Sequence, residues 1–299
     1  MWIYLGIVSA VLLGLYDVCK KHALNGNAVL PVLTLSTVAG LVPMLACWSF
    51  SRLDPETAQQ LGLYVPVATR SEHRLLLLKS FIVCTSWVLA YFAMKHLPIS
   101  LSTPIRSSGP AWTLIGAVFL FHERPEPLQA AGMALVFASY YAFSLAGRKE
   151  GVVFHRSIWI LFMFLATLVG SISTLFDKYL LQQQGMPTLL VQFWFSFYNV
   201  ALMTVFTGVV WWPRRKTFTP FRWRWSIALI GLLLIAADFV YFQALENPEA
   251  LVVILSLLRR SSVVVSFTLG AALFRETNRR GKAWALAGIL AGVFLIVLA

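Results

Sequence analysis

Long apolar stretches recur along the chain, separated by short polar or basic segments. Ten can be marked, at residues 2–20, 29–50, 75–97, 99–121, 127–147, 157–180, 187–212, 225–245, 249–274 and 282–299. Each is close to the ~20 residues that a helix needs to cross a bilayer. The stretches are continuous rather than alternating, which indicates helices and not barrel strands. The pattern predicts an all-α, polytopic membrane protein with ten transmembrane helices.

Composition supports lipid as the main surroundings. Of the 299 residues, 59% are hydrophobic and only 12% are charged, whereas a soluble domain carries about 25% charged residues. The net charge of +12 does not predict nucleic-acid binding, because the basic residues fall in short loops where they meet anionic headgroups. The expected partners are therefore membrane lipid and a small-molecule substrate.

Short motifs recur in the same order in the two halves of the chain. At offsets of 150 to 160 the pairs are Leu15-Tyr16-Asp17 with Leu175-Phe176-Asp177, Tyr91-Phe92 with Tyr241-Phe242, Ile105-Arg106-Ser107-Ser108 with Leu258-Arg259-Arg260-Ser261-Ser262, and Phe121-His122-Glu123 with Phe274-Arg275-Glu276. We expect two five-helix repeats, residues 1–150 and 151–299. Because five helices end on the opposite face from their start, the second repeat is expected to be inverted, with a substrate site near the midplane.

Two of these motifs have a distinctive continuation. Each ends in Glu at the close of an apolar span, and a small-residue span follows, with Gln129-Ala130-Ala131-Gly132 after the first and Ala285-Leu286-Ala287-Gly288 after the second. With Pro110 in the fourth span, the chain resembles the EamA-type members of the drug/metabolite transporter superfamily. The resemblance implies secondary transport of metabolites through a central cavity, in a multi-pass protein of the cell membrane, of the bacterial inner-membrane type.

The basic residues also bear on orientation. Loops after odd-numbered spans hold fifteen Lys and Arg, and loops after even-numbered spans hold six, with Lys79 and Lys178 placed among the six. The positive-inside rule then predicts both termini outside. The resemblance implies both termini inside, so orientation stays open.

Three arginines fall inside apolar spans: Arg106 in the fourth, Arg259 and Arg260 in the ninth. A charge inside the membrane costs at least ~2.5 kcal/mol, so it is expected to face the bundle interior. Ser256 shares the helix face of Arg259 at a spacing of three residues. We expect the three arginines to bind an anionic group through bidentate, charge-assisted hydrogen bonds, with Ser256 as a further substrate-binding residue. Organophosphate translocators of the same superfamily carry a basic pair that Arg259-Arg260 resembles.

An alternative is that arginines and aspartates pair to hold helices together. Asp238, deep in the eighth span, is predicted either to act in coupling or gating or to pair with one arginine. Asp17 and Asp177, near the ends of the first and sixth spans, are expected to pair at helix ends or gates. The deeper aromatics Tyr91, Trp112 and Tyr241 are predicted to line the cavity, with plain packing as their alternative.

No catalytic motif, metal-binding spacing or cofactor signature is evident, so an enzyme is not expected. The first hypothesis is a secondary transporter that moves a small anionic metabolite, carboxylate or phosphorylated, by alternating access. Two others stay open: an exporter of amino acids or amines, and a flippase of a lipid-linked sugar. Substrate identity, coupling ion, direction and oligomeric state are not predicted.

Overall fold

The computed structural model describes residues 1–96, 105–106, 108–146, 158–217, 219–274 and 279–298. The regular elements in these ranges are all helical, as predicted. They are α1 Trp2–Leu24, α2 Val29–Leu53, α3 Pro55–Gln60, α4 Arg70–His96, α5 Gly109–Phe121, α6 Pro127–Ala146, α7 Ile158–Lys178, α8 Thr188–Phe206, α9 Trp225–Glu246, α10 Val252–Arg260, α11 Ser262–Phe274 and α12 Arg279–Leu298. Short π-helical turns extend α7 to Gln183 and α8 to Trp211.

Six helical segments in the described ranges are long and apolar enough to cross a membrane, namely α1, α2, most of α4, α7 to Gln183, α8 to Arg214, and α9. Shorter apolar helices are α5 and the segment Trp284–Leu298 of α12. The chain is therefore a multi-pass membrane protein. The count of ten spans and the inversion of the second half stay predictions.

The polar segment between α2 and α4 folds against the bundle end. Ser51 Oγ donates to the Leu63 carbonyl at 3.1 Å and accepts from the Val65 N–H at 2.9 Å. Asp54 caps the short helix α3, and hydrogen bonds from the Thr57 side chain and backbone N–H hold the pKa of the Asp54 carboxyl below its ordinary value. This segment holds none of the residues predicted to bind substrate.

The tightest helix pairs join the two halves of the chain, with α1 and α2 against α9, α4 against α7, and α6 against α12. The α2–α9 contact depends on small residues. A Cβ added at Gly231 would lie 1.9 Å from the Ser36 carbonyl oxygen and 2.6 Å from the Gly40 N atom. Helix backbones that meet this closely gain van der Waals contacts that lipid cannot supply.

One end of the bundle is tied together around Asn27, and we call it the Asn27 end. Asn27 Oδ1 accepts from the Arg222 N–H at 2.8 Å, and Asn27 Nδ2 donates to the Arg222 carbonyl at 2.6 Å. His22 Nδ1 lies 3.0 Å from Ser226 Oγ. These contacts hold the α1–α2 turn against the segment that leads into α9. Gly26, with a φ of +62°, supplies the left-handed residue of that turn.

The opposite end is tied together around Glu123, and we call it the Glu123 end. Lys178 Nζ donates to Glu123 Oε1 at 2.6 Å, and both side chains are buried. The same carboxylate accepts the N–H groups of Val252 at 2.8 Å and Val253 at 3.4 Å, the first residues of α10. Gln182 Nε2 adds bonds to the carbonyls of Leu245, Asn247 and Ala250.

Candidate functional site

A central cavity of about 290 Å³ lies between helices of both halves, chiefly α1, α4, α7, α9 and α10. Its charged lining residues are Asp17, Lys20, Lys79, Arg106, Asp177, Asp238, Arg259 and Arg260. Among the described lining residues, five basic and three acidic side chains give a surplus of two positive charges. Because the surrounding protein and lipid have a low dielectric constant, this surplus attracts an anionic ligand strongly.

The more buried of the two charge pairs at the cavity joins Lys79 of α4 to Asp177 of α7. Lys79 Nζ donates to the Asp177 carboxylate, and the two side chains are 2% and 9% exposed. Lys79 Nζ also lies 4.3 Å from the ring centroid of Phe195 and 5.1 Å from that of Phe242. Carboxylate and ring faces together compensate for the loss of water around the ammonium group.

A second pair joins Arg259 of α10 to Asp238 of α9. Arg259 donates to Asp238 Oδ1 at 2.5 Å. The Arg259 guanidinium carbon lies 4.3 Å from the ring centroid of Tyr241. Tyr241 is only 2% exposed, and its hydroxyl has no hydrogen-bond partner within the described part of the chain. A buried, unpaired hydroxyl is costly.

Arg260 lies against the start of α5. A Cβ built on Gly109 would lie 3.4 Å from Arg260 Nη2 and close to Thr167 and Ser171 of α7. Arg106 lies near enough to repel Arg260 electrostatically, and Asp17 partly offsets that repulsion. No described carboxylate lies within 4 Å of Arg260, whereas Arg259 has one. Arg260 therefore keeps more of its capacity for an anion than Arg259 does.

A serine turn follows each set of arginines. Ser108 Oγ donates to the Ile105 carbonyl at 2.7 Å, and Ser261 Oγ donates to the Leu258 carbonyl at 2.6 Å. The turn at Ser261 separates α10 from α11, and the one at Ser108 precedes α5. The two serines, and the two residues whose carbonyls they bond, are each 153 positions apart, so the two turns match without an insertion. Both turns place the preceding arginines beside the cavity.

Most of the predicted site residues come together at this cavity. Its lining includes Arg106, Arg259, Arg260, Ser256, Tyr241, Asp238, Asp17 and Asp177. Trp112 does not line it: its indole N–H donates to Ser108 Oγ at 3.2 Å and its ring meets Phe164 edge-on at 5.5 Å. Packing is thus the better account of Trp112, because its helix turns it away from the cavity. The Tyr91 side chain lies outside the described residues.

Two cations placed in loops by the sequence pattern are in fact buried. Lys79 is 1% exposed within α4, and Lys178 is 8% exposed at the end of α7. α4 begins at Arg70 rather than at residue 75, which puts Lys79 well inside the helix. The only sequence signal for Lys79 was its place within a marked apolar stretch. Asp177 pairs with this lysine rather than with an arginine.

The fold and the site define a class, a polytopic helical membrane protein with a charged central cavity. The chain matches the EamA-like transporter family over residues 1–145 and 157–298, and it belongs to that family.

Comparison with curated proteins gave no match. Among solved structures, a chain titled only "Crystal structure of protein" superposes with a TM-score of 0.74 at 16% identity, covering 99% of this chain and 98% of the other. At that identity the likeness establishes the fold alone.

Proposed function

We propose that this protein is a secondary transporter, and not an enzyme, that moves a small anionic metabolite across the cell membrane of a bacterium by alternating access. Membership of a transporter family supports the general role. The observation that carries the anionic substrate is the positive surplus of the cavity, above all Arg260 with no described carboxylate within 4 Å.

An anion relieves an electrostatic problem at this site. Arg106 and Arg260 repel each other, and a phosphate or carboxylate between them turns that repulsion into two attractions. Hydrogen bonds to charged groups contribute about 1.5–3 kcal/mol each. Tyr241 lines the same cavity with its ring against the Arg259 guanidinium, as a substrate-binding position would require.

The two ends of the bundle differ, which supports one-sided access. The Glu123 end is closed by Lys178 and the first N–H groups of α10. The cavity lining extends toward the Asn27 end as far as Lys20, one turn before the end of α1. In alternating access, the opposite state would open the Glu123 end and close the other.

The test is counterflow in proteoliposomes. Vesicles are loaded with one unlabelled metabolite at a time, phosphorylated or carboxylated, and uptake of the same labelled metabolite from outside is measured. The metabolite that accumulates most is then used to compare the variants. We expect Arg260→Gln and Arg106→Gln to weaken apparent affinity by about 10- to 100-fold, equivalent to ~1.4–2.8 kcal/mol.

The matched control is Arg52→Gln. Arg52 is an exposed cation over the Trp48 ring, and it does not line the cavity. Its loss should leave counterflow unchanged. Unaltered affinity in Arg260→Gln would refute the proposed role of Arg260. Counterflow restricted to amines, or movement of a lipid-linked sugar instead, would replace the anion by one of the other two substrates.

A further inference from the structure

Serine and threonine hydroxyls line the central cavity beside its charges, and those of the described residues fall into two sets. The first set donates to backbone carbonyls, with Ser86 Oγ bonded to Ala166 at 2.7 Å, Thr167 Oγ1 to Met163 at 2.9 Å and Thr174 Oγ1 to Gly170 at 3.1 Å. Hydroxyls in apolar helices commonly make such bonds, because the membrane interior supplies no water to accept the proton. We call this set the bonded hydroxyls.

The second set comprises Ser173 of α7, Ser256 of α10 and Ser262 of α11, and we call it the open hydroxyls. Within the described part of the chain, none of the three has a hydrogen-bond partner, and all three residues line the cavity. Ser173 and Ser262 are only 7% and 8% exposed. Their oxygens are nevertheless not fully enclosed, unlike that of Tyr241. Each open hydroxyl therefore keeps one donor and two acceptor positions for a molecule in the cavity.

The open hydroxyls lie close to the arginines that would hold the anion. Ser256 and Ser262 are three residues before and after Arg259, or ~4.5 Å to either side along the axis at 1.5 Å per residue. Ser173 is one turn from Asp177 on α7, and Asp177 is near enough to Arg259 for electrostatic attraction. Neutral hydroxyls thus stand on two walls of the cavity, both beside its cationic groups.

A ligand of this cavity has to satisfy hydroxyls as well as guanidinium groups. A phosphate or carboxylate accepts from the arginines, but an alkyl chain attached to it would leave the serines unpaired and away from water, which is unfavourable. A ligand hydroxyl both donates and accepts, so it can bond to a serine in either direction. The cavity volume of about 290 Å³ is near the lower limit of ~300 Å³ for ligand pockets, which favours a short molecule.

We propose that the substrate is a short hydroxylated anion, a polyol phosphate or a sugar acid, and that Ser173, Ser256 and Ser262 select it through its hydroxyl groups. This rests on the proposed function, because the arginines hold the anionic group. The serines then determine which anions are accepted, since a chain without hydroxyls leaves them without partners.

The test is isothermal titration calorimetry of the full-length protein in lipid nanodiscs with two matched pairs of ligands. Erythritol 4-phosphate is compared with butyl phosphate, and erythronate is compared with butyrate. The members of a pair share their carbon chain length and anionic group and differ only in hydroxyls. In at least one pair, we expect the hydroxylated member to bind about tenfold or more tightly, because one neutral hydrogen bond changes affinity by roughly two- to tenfold.

Ser173→Ala and Ser262→Ala should each weaken binding of the hydroxylated member by about three- to tenfold and leave its partner unaffected. Unchanged binding of butyl phosphate or butyrate also shows that the variant is folded. The matched control is Ser86→Ala, because Ser86 lines the same cavity but its proton is bonded to the Ala166 carbonyl. Its removal should leave the ratio of affinities within each pair unchanged.

Equal affinities within both pairs in the wild type, meaning that the serines hold water only, would overturn the proposal. So would an effect of Ser86→Ala equal to that of Ser173→Ala and Ser262→Ala. Counterflow of unhydroxylated anions that depends on Arg260 would, with equal affinities, refute selection by the serines and leave the anionic substrate intact. Neutral erythritol bound as tightly as its phosphate would instead refute the anionic substrate and leave recognition of hydroxyls.

Discussion

The buried pair of Lys79 and Asp177 allows a quantitative test of how this bundle is held together. Lys79→Met keeps an unbranched side chain, one heavy atom shorter, and removes the charge, so Asp177 is left in a site where its side chain is 9% exposed. Within the described residues, Lys79 is the cation that lies within 4 Å of Asp177. Breaking a buried pair in this way costs about 3–5 kcal/mol, because one charge stays buried and uncompensated.

Asp177→Asn should cost less. Lys79 keeps its contacts with the faces of Phe195 and Phe242, each worth up to about 2 kcal/mol for a desolvated cation. The double variant Lys79→Met with Asp177→Asn should be less destabilised than the sum of the two singles, by a coupling of about 1–3 kcal/mol.

The assay is equilibrium unfolding of the purified variants by SDS in mixed micelles. The matched control is Arg215→Met, since Arg215 also lies over an aromatic ring, that of Trp212 at 4.6 Å, but is exposed. Its loss should change the free energy of unfolding by less than about 1 kcal/mol. Additive single effects, or a Lys79→Met variant as stable as Arg215→Met, would refute a direct ion pair.

Two further variants test other contacts. Gly231→Ala should destabilise the protein by about 3 kcal/mol or more, because its Cβ would meet the Ser36 carbonyl at 1.9 Å; Gly208→Ala, with open space around it, should be neutral in the same SDS titration. Glu123→Gln should speed hydrogen–deuterium exchange at Val252 by about 10-fold, as the N-terminus of α10 loses its carboxylate; unchanged exchange there would contradict closure of the Glu123 end by this residue.

Helix existence and the clustering of charged residues were accessible from sequence. The apolar stretches are long, so the positions of α1, α2, α7, α8 and α9 follow from the hydrophobic pattern along the chain. The serine and arginine spacing in the ninth span placed Ser256 and Arg259 on one face, and both line the cavity. The periodicity of one helix is enough to predict that such residues line the cavity, because the polar face of that helix is the face that lines it.

Contacts between side chains of helices that are distant in sequence could not be predicted from the sequence. Lys79 lies near the start of an apolar stretch, where a cation usually reaches headgroups, and its carboxylate partner is far along the chain. Glu123 was part of a motif, but its contacts with Lys178 and Val252 depend on how α5, α7 and α10 meet. The direction of Trp112 likewise depends on neighbouring helices and not on its own.

The separation of Lys79 from Asp177 has a consequence for biogenesis. The two residues are 98 positions apart, and ribosomes add about 5–20 residues per second, so the lysine is made roughly 5 to 20 s before its carboxylate. During that interval the nascent α4 carries an ammonium group whose placement at mid-membrane costs at least ~2.5 kcal/mol. The insertion machinery must therefore shelter this segment, or leave it at the interface, until α7 has been translated.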